Sequence, residues 1–477
     1  MLDPSFIQLS FIACAAITGI VMWAGREVRK QGGKEAPAAS KEFKSFQRLY
    51  LTVYLVAMFA DWLQGPYVYA LYASYGFTAG DNATLFVAGF GSSMIFGTFI
   101  GSMADRIGRK KSASLYCVLY IVSCMTKHVS SYPMLMIGRV TGGIATSLLF
   151  SVFDSWLVCE HNARGFPSEL LSGTFGLAIF GNSIVAITAG FVSQFAADMM
   201  PLSPPPGESP QIHVGGYCGP FDVSICCLIA CGLLISSTWT ENYGEQQSAV
   251  KTTQIEAIKE AGQIVLDSPD ILCCGIVCSL FEASMFIFVF QWTPLVTDPV
   301  GPKPPYGTIF AVFMVACMLG SRLFSLATQF MKVERVGQGL LAIALFAHAI
   351  PVLSTDNTTC FLAFLLFELS VGIYFPMMGT LKSTIVPEGA RSTIYNLYRV
   401  PLNFIVVGAL CVKIEARTAF MFTSVLLTAA LVAQTSLVAI IGSGRNAKAS
   451  YESVGGKMDD MEMGAETVGA PQEVEHH

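Results

Sequence analysis

The feature that most constrains this chain is a series of long apolar runs with almost no charged residues inside them. About thirteen such runs can be read, and a helix that crosses a bilayer needs about 20 mostly apolar residues. Only 13% of the 477 residues are charged, against about 25% in ordinary globular domains. A soluble enzyme, a nucleic-acid-binding protein and a disordered protein are therefore excluded. Because the runs are continuous rather than alternating, the sequence predicts helices and not a membrane barrel.

The predicted spans form one leading span and two groups of six. They cover residues 5–25, 49–74, 82–104, 112–129, 132–158, 170–198, 220–240, 270–297, 306–331, 337–354, 360–381, 393–413 and 418–442. No positive charge precedes the first run, whereas Arg26, Arg29 and Lys30 follow it. This is the reverse of a secretory signal, and it predicts a retained anchor with its N-terminus outside. In that orientation Lys and Arg favour the cytoplasmic segments by about five to one.

This layout predicts six regions. They are a leading anchor (1–25), a basic cytoplasmic loop (26–48), a six-helix bundle (49–240), a cytoplasmic linker (241–269), a second six-helix bundle (270–442) and a disordered cytoplasmic tail (443–477). An amphipathic helix is expected in the linker from Thr252 to Val265. The proline-rich outer segment 199–219 is expected to be extended and without helix.

Several residues near the predicted outer loops are candidates for covalent modification. Asn82 and Asn357 each begin a glycosylation acceptor sequence. Cys218 and Cys360 also fall near outer loops and could form a disulfide. Other cysteines lie inside apolar runs, where packing explains them better than metal binding because no His or carboxylate completes a ligand set. No metal or cofactor is expected.

One predicted cytoplasmic loop carries a specific motif. Residues 101–111 read GSMADRIGRKK, and the pattern G-x-x-x-D-R-x-G-R-K resembles the signature between helices 2 and 3 of the major facilitator superfamily. The resemblance implies an all-α integral membrane fold of two six-helix bundles, preceded here by one extra helix. It also implies cytoplasmic gating residues: Asp105, Arg106 and Arg109, with Arg391 as a partner of Asp105, and Asp154 or Glu160 as a partner of Arg109.

Longer segments resemble one eukaryotic family within that superfamily. They are residues 60–67 (ADWLQGPY), 138–143, 148–156, 280–294 (LFEASMFIFVFQWTP), 372–376 and 398–401. Together they are similar to the molybdate-anion transporter family over residues 1–440, which implies high-affinity uptake of molybdate and no enzymatic activity. The sequence has no ATP-binding P-loop, so uphill transport is expected to use an ion gradient.

Ionisable residues in the middle third of a span are costly and are functional candidates by default. Five fall there: Asp61, Arg139, Glu282, Glu368 and Arg399. Asp61 and Glu282 take similar positions in the two groups of six spans, and so do Asn182 and Asn403. This weak similarity indicates two diverged repeats.

Molybdate is a tetrahedral dianion, and guanidinium groups suit it because they stay charged and offer forked donors. We expect Arg139 and Arg399 to clamp it from opposite halves. Neutral donors are expected to surround it: Asn182, Asn403, Gln64, Tyr67 and Trp292. The same arginines could instead form buried pairs that only orient helices, Arg139 with Asp61 and Arg399 with Glu368.

The charge of the anion favours uptake that is coupled to the entry of another ion. A dianion that enters against an inside-negative potential costs about 4.6 kcal/mol per 100 mV. Symport with protons carried by Asp61, Glu282 and Glu368 is the expected solution, with sodium coupling or exchange as alternatives.

Two other functions stay open at this point. One is transport of another tetrahedral oxoanion such as sulfate, and the other is a sensor that keeps the fold but moves nothing. The short linker and tail argue against the sensor. The expected partners are molybdate, protons and the lipid bilayer, with no nucleic acid. The expected form is a monomer in the plasma membrane, or alternatively in an endomembrane.

Overall fold

The computed structural model describes residues 3–30, 40–205, 212–243, 254–297, 303–387, 391–412 and 414–443. Within these ranges thirteen helices have 18 residues or more, and two are shorter. The long helices are α1 (Pro4–Lys30), α2 (Lys41–Trp62), α4 (Ala79–Ile107), α5 (Arg109–Thr126), α6 (Tyr132–Ala163), α7 (Ser168–Asp198), α8 (Gly219–Thr238), α10 (Pro269–Val296), α11 (Tyr306–Ala327), α12 (Val333–Leu353), α13 (Asn357–Ile385), α14 (Arg391–Cys411) and α15 (Ala416–Gly442). The shorter helices are α3 (Val68–Ser74) and α9 (Gln254–Asp267).

The long helices are arranged as two bundles. Ten helices of the described residues are long and apolar enough to cross a membrane, which confirms the prediction of a helical membrane protein. Helices α2–α8 pack mainly on one another and form the N-half, while α10–α15 form the C-half. Helix α9 overlaps the predicted linker helix and packs against α10 and α14.

The two halves meet chiefly along α7 and α11, and along α4 and α14. Glycines allow the first contact to be close. A Cβ on Gly190 of α7 would lie 2.6 Å from the carbonyl oxygen of Gly307 on α11. A Cβ on Gly307 would lie 2.8 Å from the backbone nitrogen of Gln194 on α7. The backbones therefore touch without intervening side chains, as small residues permit in membrane helix pairs.

The leading helix α1 packs along α11 and contacts both halves. The Phe6 ring lies 6.2 Å from the Phe361 ring of α13, and the Phe11 ring lies 5.1 Å from the Phe191 ring of α7. The opposite side of α1 exposes apolar residues such as Leu9 and Ile20, as expected of a helix that faces lipid on one side. Helix α1 therefore covers the seam between the halves.

The predicted span 49–74 is not one helix. Helix α2 ends at Trp62, a 3-10 turn follows at Gly65–Tyr67, and α3 continues from Val68. Pro66 lies in the turn and has no N–H to donate to the preceding turn of helix. The outer segment 199–219 also differs from expectation, because it contains a 3-10 turn at Gly216–Cys218.

Two predicted modifications disagree with the structure. The prediction of a Cys218–Cys360 disulfide is wrong, because both thiols are free. The Cys218 thiol contacts Tyr75, and the Cys360 thiol contacts Ser354. The Asn82 side chain is buried in the first turns of α4, which leaves no room for a glycan on the folded protein. Asn357 is partly exposed at the start of α13, and its glycosylation stays a prediction. The tail beyond residue 443, with residues 31–39 of the basic loop, lies outside the described ranges.

Candidate functional site

A cluster at the outer face, the face predicted to lie outside the cell, joins the two halves. The Tyr67 hydroxyl donates to Gln194 Oε1 at 2.8 Å, and the backbone N–H of Gly307 donates to the same oxygen at 3.0 Å. The Tyr67 ring packs edge-on against Tyr306 at 6.1 Å. Trp292 supports Tyr306 from within the C-half, with ring centres 6.2 Å apart. Tyr67 and Trp292, predicted to contact substrate, instead belong to this closure or its support.

Aromatic rings from both halves also meet deeper in the molecule. Phe290 of α10 contacts Tyr69 and Phe86 of the N-half, with ring centres 5.7 and 5.2 Å apart. Phe286, one helical turn further in, contacts Phe90 at 4.8 Å. These rings close the seam beneath the outer surface by apolar packing, which excludes water.

An outer cavity of about 180 Å³ lies between the halves next to this aromatic layer. The N-half contributes Tyr69 and Ala83, and the C-half contributes Phe290, Gln291 and Glu415. It is enclosed by the outer ends of helices α4, α10, α14 and α15. The cavity is a vestibule on the outer side of the closed seam.

The cytoplasmic gating residues make contacts within the N-half. Arg109 pairs with Asp105 through Nη2 and Oδ1 at 2.8 Å, and it donates to the Ser155 carbonyl at 3.1 Å. The predicted partners of Arg109 are wrong. Asp154 accepts from the Tyr50 hydroxyl at 3.1 Å, and Glu160 pairs with Arg164 at 2.8 Å.

For Arg106 and Arg391 the gating role stays a prediction. Arg106 is exposed at the end of α4, and the side chain of Arg391 lies outside the described part of the structure. Among the described residues, the ion pairs at the cytoplasmic ends of the helices join partners within one half. The two halves are therefore not joined by these ion pairs.

The three carboxylates predicted to carry protons differ in their surroundings. Asp61 of α2 accepts a short hydrogen bond from the Tyr120 hydroxyl of α5. Glu282 of α10 accepts one from the Tyr374 hydroxyl of α13 at 2.8 Å. Each carboxylate is thus held by a tyrosine of its own half. Glu368 is buried, and no described residue forms a hydrogen bond or ion pair with it.

The arginines are not paired with these acids. Arg139 donates from Nε to the Leu85 carbonyl at 3.0 Å, and its guanidinium lies 4.6 Å from the centre of the Phe86 ring. Arg399 is exposed on α14. Neither alternative pair, Asp61–Arg139 or Glu368–Arg399, is formed among the described residues. The structure also does not bring the two arginines together.

The predicted neutral donors are mostly engaged within the N-half. Gln64 donates to the Ala60 carbonyl and to Ser224 at 3.1 and 3.3 Å. Asn182 accepts from the Trp62 indole at 2.8 Å. Asn403 is partly buried on α14. Gln64 is therefore not available to a ligand in this conformation, which disagrees with its expected role.

Sequence reasoning missed several polar residues. Tyr120 and Tyr374 were hidden because tyrosine counts as apolar in a hydropathy reading, although its hydroxyl needs a partner when buried. Lys382 lies 3.9 Å from the Cys278 thiol, beside Glu282. Lys127 lies near the outer end of the predicted span 112–129, and it is 2% exposed. A lysine inside a predicted span was the available signal.

Two six-helix bundles with a closed seam at one face and acids held inside each half define a membrane transporter of the major facilitator fold, not an enzyme. The xylose transporter of E. coli, solved in an inward-open conformation, has this fold: it aligns with a TM-score of 0.62 at 13% identity, covering 82% of this chain and 95% of its own. A family model described as sugar transporters with 12 TM matches residues 6–362.

Two curated relatives are more closely similar in sequence. A molybdate-anion transporter of Danio rerio is 32% identical over 425 residues, covering 83% of this chain and 85% of the relative. A molybdate-anion transporter of Xenopus tropicalis is 34% identical over 399 residues, with coverages of 81% and 84%. The chain belongs to the molybdate-anion transporter family of the major facilitator superfamily.

Proposed function

We propose that this protein is a secondary active transporter that takes up molybdate across a membrane. The observation that carries the proposal is the match to relatives named molybdate-anion transporter over more than four fifths of the chain. The cation-bearing helices α6 and α14 of opposite halves fit a doubly negative cargo. The protein acts as a monomer in the plasma membrane, with an endomembrane as the alternative that imaging of a tagged chain would detect.

Arg139 and Arg399 bind the anion in this proposal. Arg139 uses Nε for the Leu85 carbonyl, and the two terminal nitrogens of a guanidinium suit forked recognition of an oxyanion. Arg399 lies on α14, which contacts the N-half through α4. Asn182 and Asn403 take similar positions on α7 and α14 and supply neutral hydrogen bonds. Tyr67 and Trp292 contribute when the outer closure opens.

Proton symport supplies the driving force. Two charges moving against the membrane potential cost about 4.6 kcal/mol per 100 mV, so three protons per dianion make uptake electrically favourable. Asp61 and Glu282 each accept a tyrosine hydrogen bond, and Glu368 is buried without a described partner. These carboxylates are the proton carriers of the proposal.

The test of the cargo is uptake of labelled molybdate by proteoliposomes with an excess of unlabelled sulfate. We expect saturable uptake that unlabelled molybdate abolishes and sulfate reduces much less. Equal inhibition by sulfate would show that the selectivity is assigned to the wrong oxoanion. Arg139→Gln is expected to reduce uptake by about a hundredfold, through loss of a charged, forked donor. Arg48→Gln, an exposed arginine on α2, is the matched control and is expected to transport normally.

A further inference from the structure

The outer part of the N-half holds a buried lysine that pairs with no acid among the described residues. Lys127 follows the last residue of α5 and is 2% exposed. Its ammonium donates to the carbonyl and hydroxyl of Ser123, at 3.3 and 3.5 Å. The centre of the Tyr72 ring lies 5.9 Å away. These groups are neutral. Burying an ammonium among neutral groups costs free energy unless a negative charge lies beside it.

A second cation lies next to it. Gly138 of α6 faces Lys127, because a Cβ placed there would lie 3.0 Å from the ammonium nitrogen. Arg139 follows directly in the chain and is close enough to act on Lys127 electrostatically. The nearest acids of the surrounding helices are otherwise engaged. Asp222 pairs with His128 at 2.8 Å, and Asp61 accepts from Tyr120.

Buried neutral polar groups complete the cluster. Asn82 is 1% exposed, and its side chain lies beside the Tyr69 hydroxyl. It lies one helical turn before Leu85 and Phe86, the residues that Arg139 contacts. The Tyr72 hydroxyl is buried beside the Arg139 guanidinium.

A single aromatic layer separates this cluster from the outer cavity. The Phe86 ring covers the Arg139 guanidinium on one side and touches Phe290 on the other. Phe290 lines the cavity, and so does Ala83, the neighbour of Asn82. Because Phe290 belongs to the C-half, separation of the halves at the outer face would remove it from Phe86 and open a path to the cations.

We propose that Lys127, with Arg139, Tyr72 and Asn82, forms the site that receives a dianionic tetrahedral oxoanion when the outer face opens. The proposal rests on the proposed function and adds a residue and a location to it. Lys127 supplies a point charge, Arg139 a forked donor, and the amide and hydroxyl supply neutral hydrogen bonds. Binding brings to the two cations the negative charge that the described protein does not provide.

The test compares purified wild-type protein with Lys127→Met and Lys127→Arg, using molybdate as the probe in thermal unfolding and in proteoliposome uptake. We expect Lys127→Met to lose molybdate-dependent stabilisation and to raise KM by about tenfold or more, whereas Lys127→Arg keeps part of both. Lys303→Met, an exposed outer lysine, is the matched control and should behave as wild type.

The same experiment separates a binding role from a structural one. If Lys127 only stabilises the fold, Lys127→Met unfolds at a lower temperature without ligand and keeps the wild-type KM, which overturns the proposal. If it is a site residue, the ligand-free unfolding temperature stays the same or rises. Failure of wild-type protein to transport molybdate, sulfate or phosphate refutes the proposed function itself. Transport by wild type with an unchanged KM in Lys127→Met refutes only the site.

Discussion

Each half of the molecule holds a carboxylate against a tyrosine hydroxyl near the middle of a span. Asp61 with Tyr120 and Glu282 with Tyr374 are the two cases. A hydroxyl can donate to an ionised carboxylate or accept from a protonated one, so it can stay bonded while the proton comes and goes. This is the property that a proton-carrying site inside the membrane needs.

Glu282→Gln tests that role. The amide keeps the size and a hydrogen-bond acceptor for Tyr374 but cannot release a proton. We expect uptake driven by a pH gradient to fall by about tenfold or more, since the coupling charge is lost, while exchange of internal for external molybdate continues. Glu260→Gln, on the exposed side of α9, is the control. Normal gradient-driven uptake by Glu282→Gln would remove Glu282 from the coupling mechanism.

The sequence allowed the charged residues to be predicted, but not their partners. Asp61, Glu282 and Arg109 were identified because charge inside or beside an apolar run is conspicuous. That Arg109 pairs with Asp105 rather than Asp154 depends on side-chain direction around α4 and α5, which spacing along the chain does not determine. Lys127 was missed because it lies near the outer end of a predicted span, where a lysine normally reaches water.

At the scale of the helices, close backbone contact depends on glycine. Gly320 of α11 and Gly372 of α13 face each other, and a Cβ on either would overlap a carbonyl group of the opposite helix. Gly379 lies two turns further along α13 with open space around it. The two positions on one helix give a matched pair for mutation.

We expect Gly372→Ala to destabilise the C-half by about 1–3 kcal/mol, because the added methyl group forces α11 and α13 apart. Gly379→Ala should leave stability unchanged or raise it slightly, since alanine is the better helix former. The measurement is the unfolding temperature of detergent-purified protein. Equal unfolding temperatures for the two variants would show that the α11–α13 contact is looser than described.

The positions of the helices could be predicted from the sequence, but the interruption of a helix could not. Apolar runs predicted the long helices to within a few residues at most ends, because length and hydropathy are properties of each segment alone. Each proline inside a predicted span is a plausible kink, but the sequence does not show that the helix is interrupted at Pro66, since proline is also tolerated inside membrane helices. Pro294 and Pro376 illustrate that tolerance, because both lie inside continuous helices.

At the scale of the whole molecule, the structure is held closed at one face. Tyr67, Gln194 and Gly307 join the halves at the outer end, and α1 covers the α7–α11 seam. The six-plus-six arrangement could be predicted from the order of spans and the 101–111 motif. The sequence does not predict which face is closed, because one sequence must support both conformations with similar free energies.

The most direct test of the account is accumulation of labelled molybdate in proteoliposomes with and without an imposed pH gradient, acidic outside. We expect wild-type protein to accumulate molybdate above the external concentration only when the gradient is present, and a protonophore to abolish the accumulation. Absence of molybdate uptake under any gradient, by protein that is folded and correctly inserted, would contradict the account.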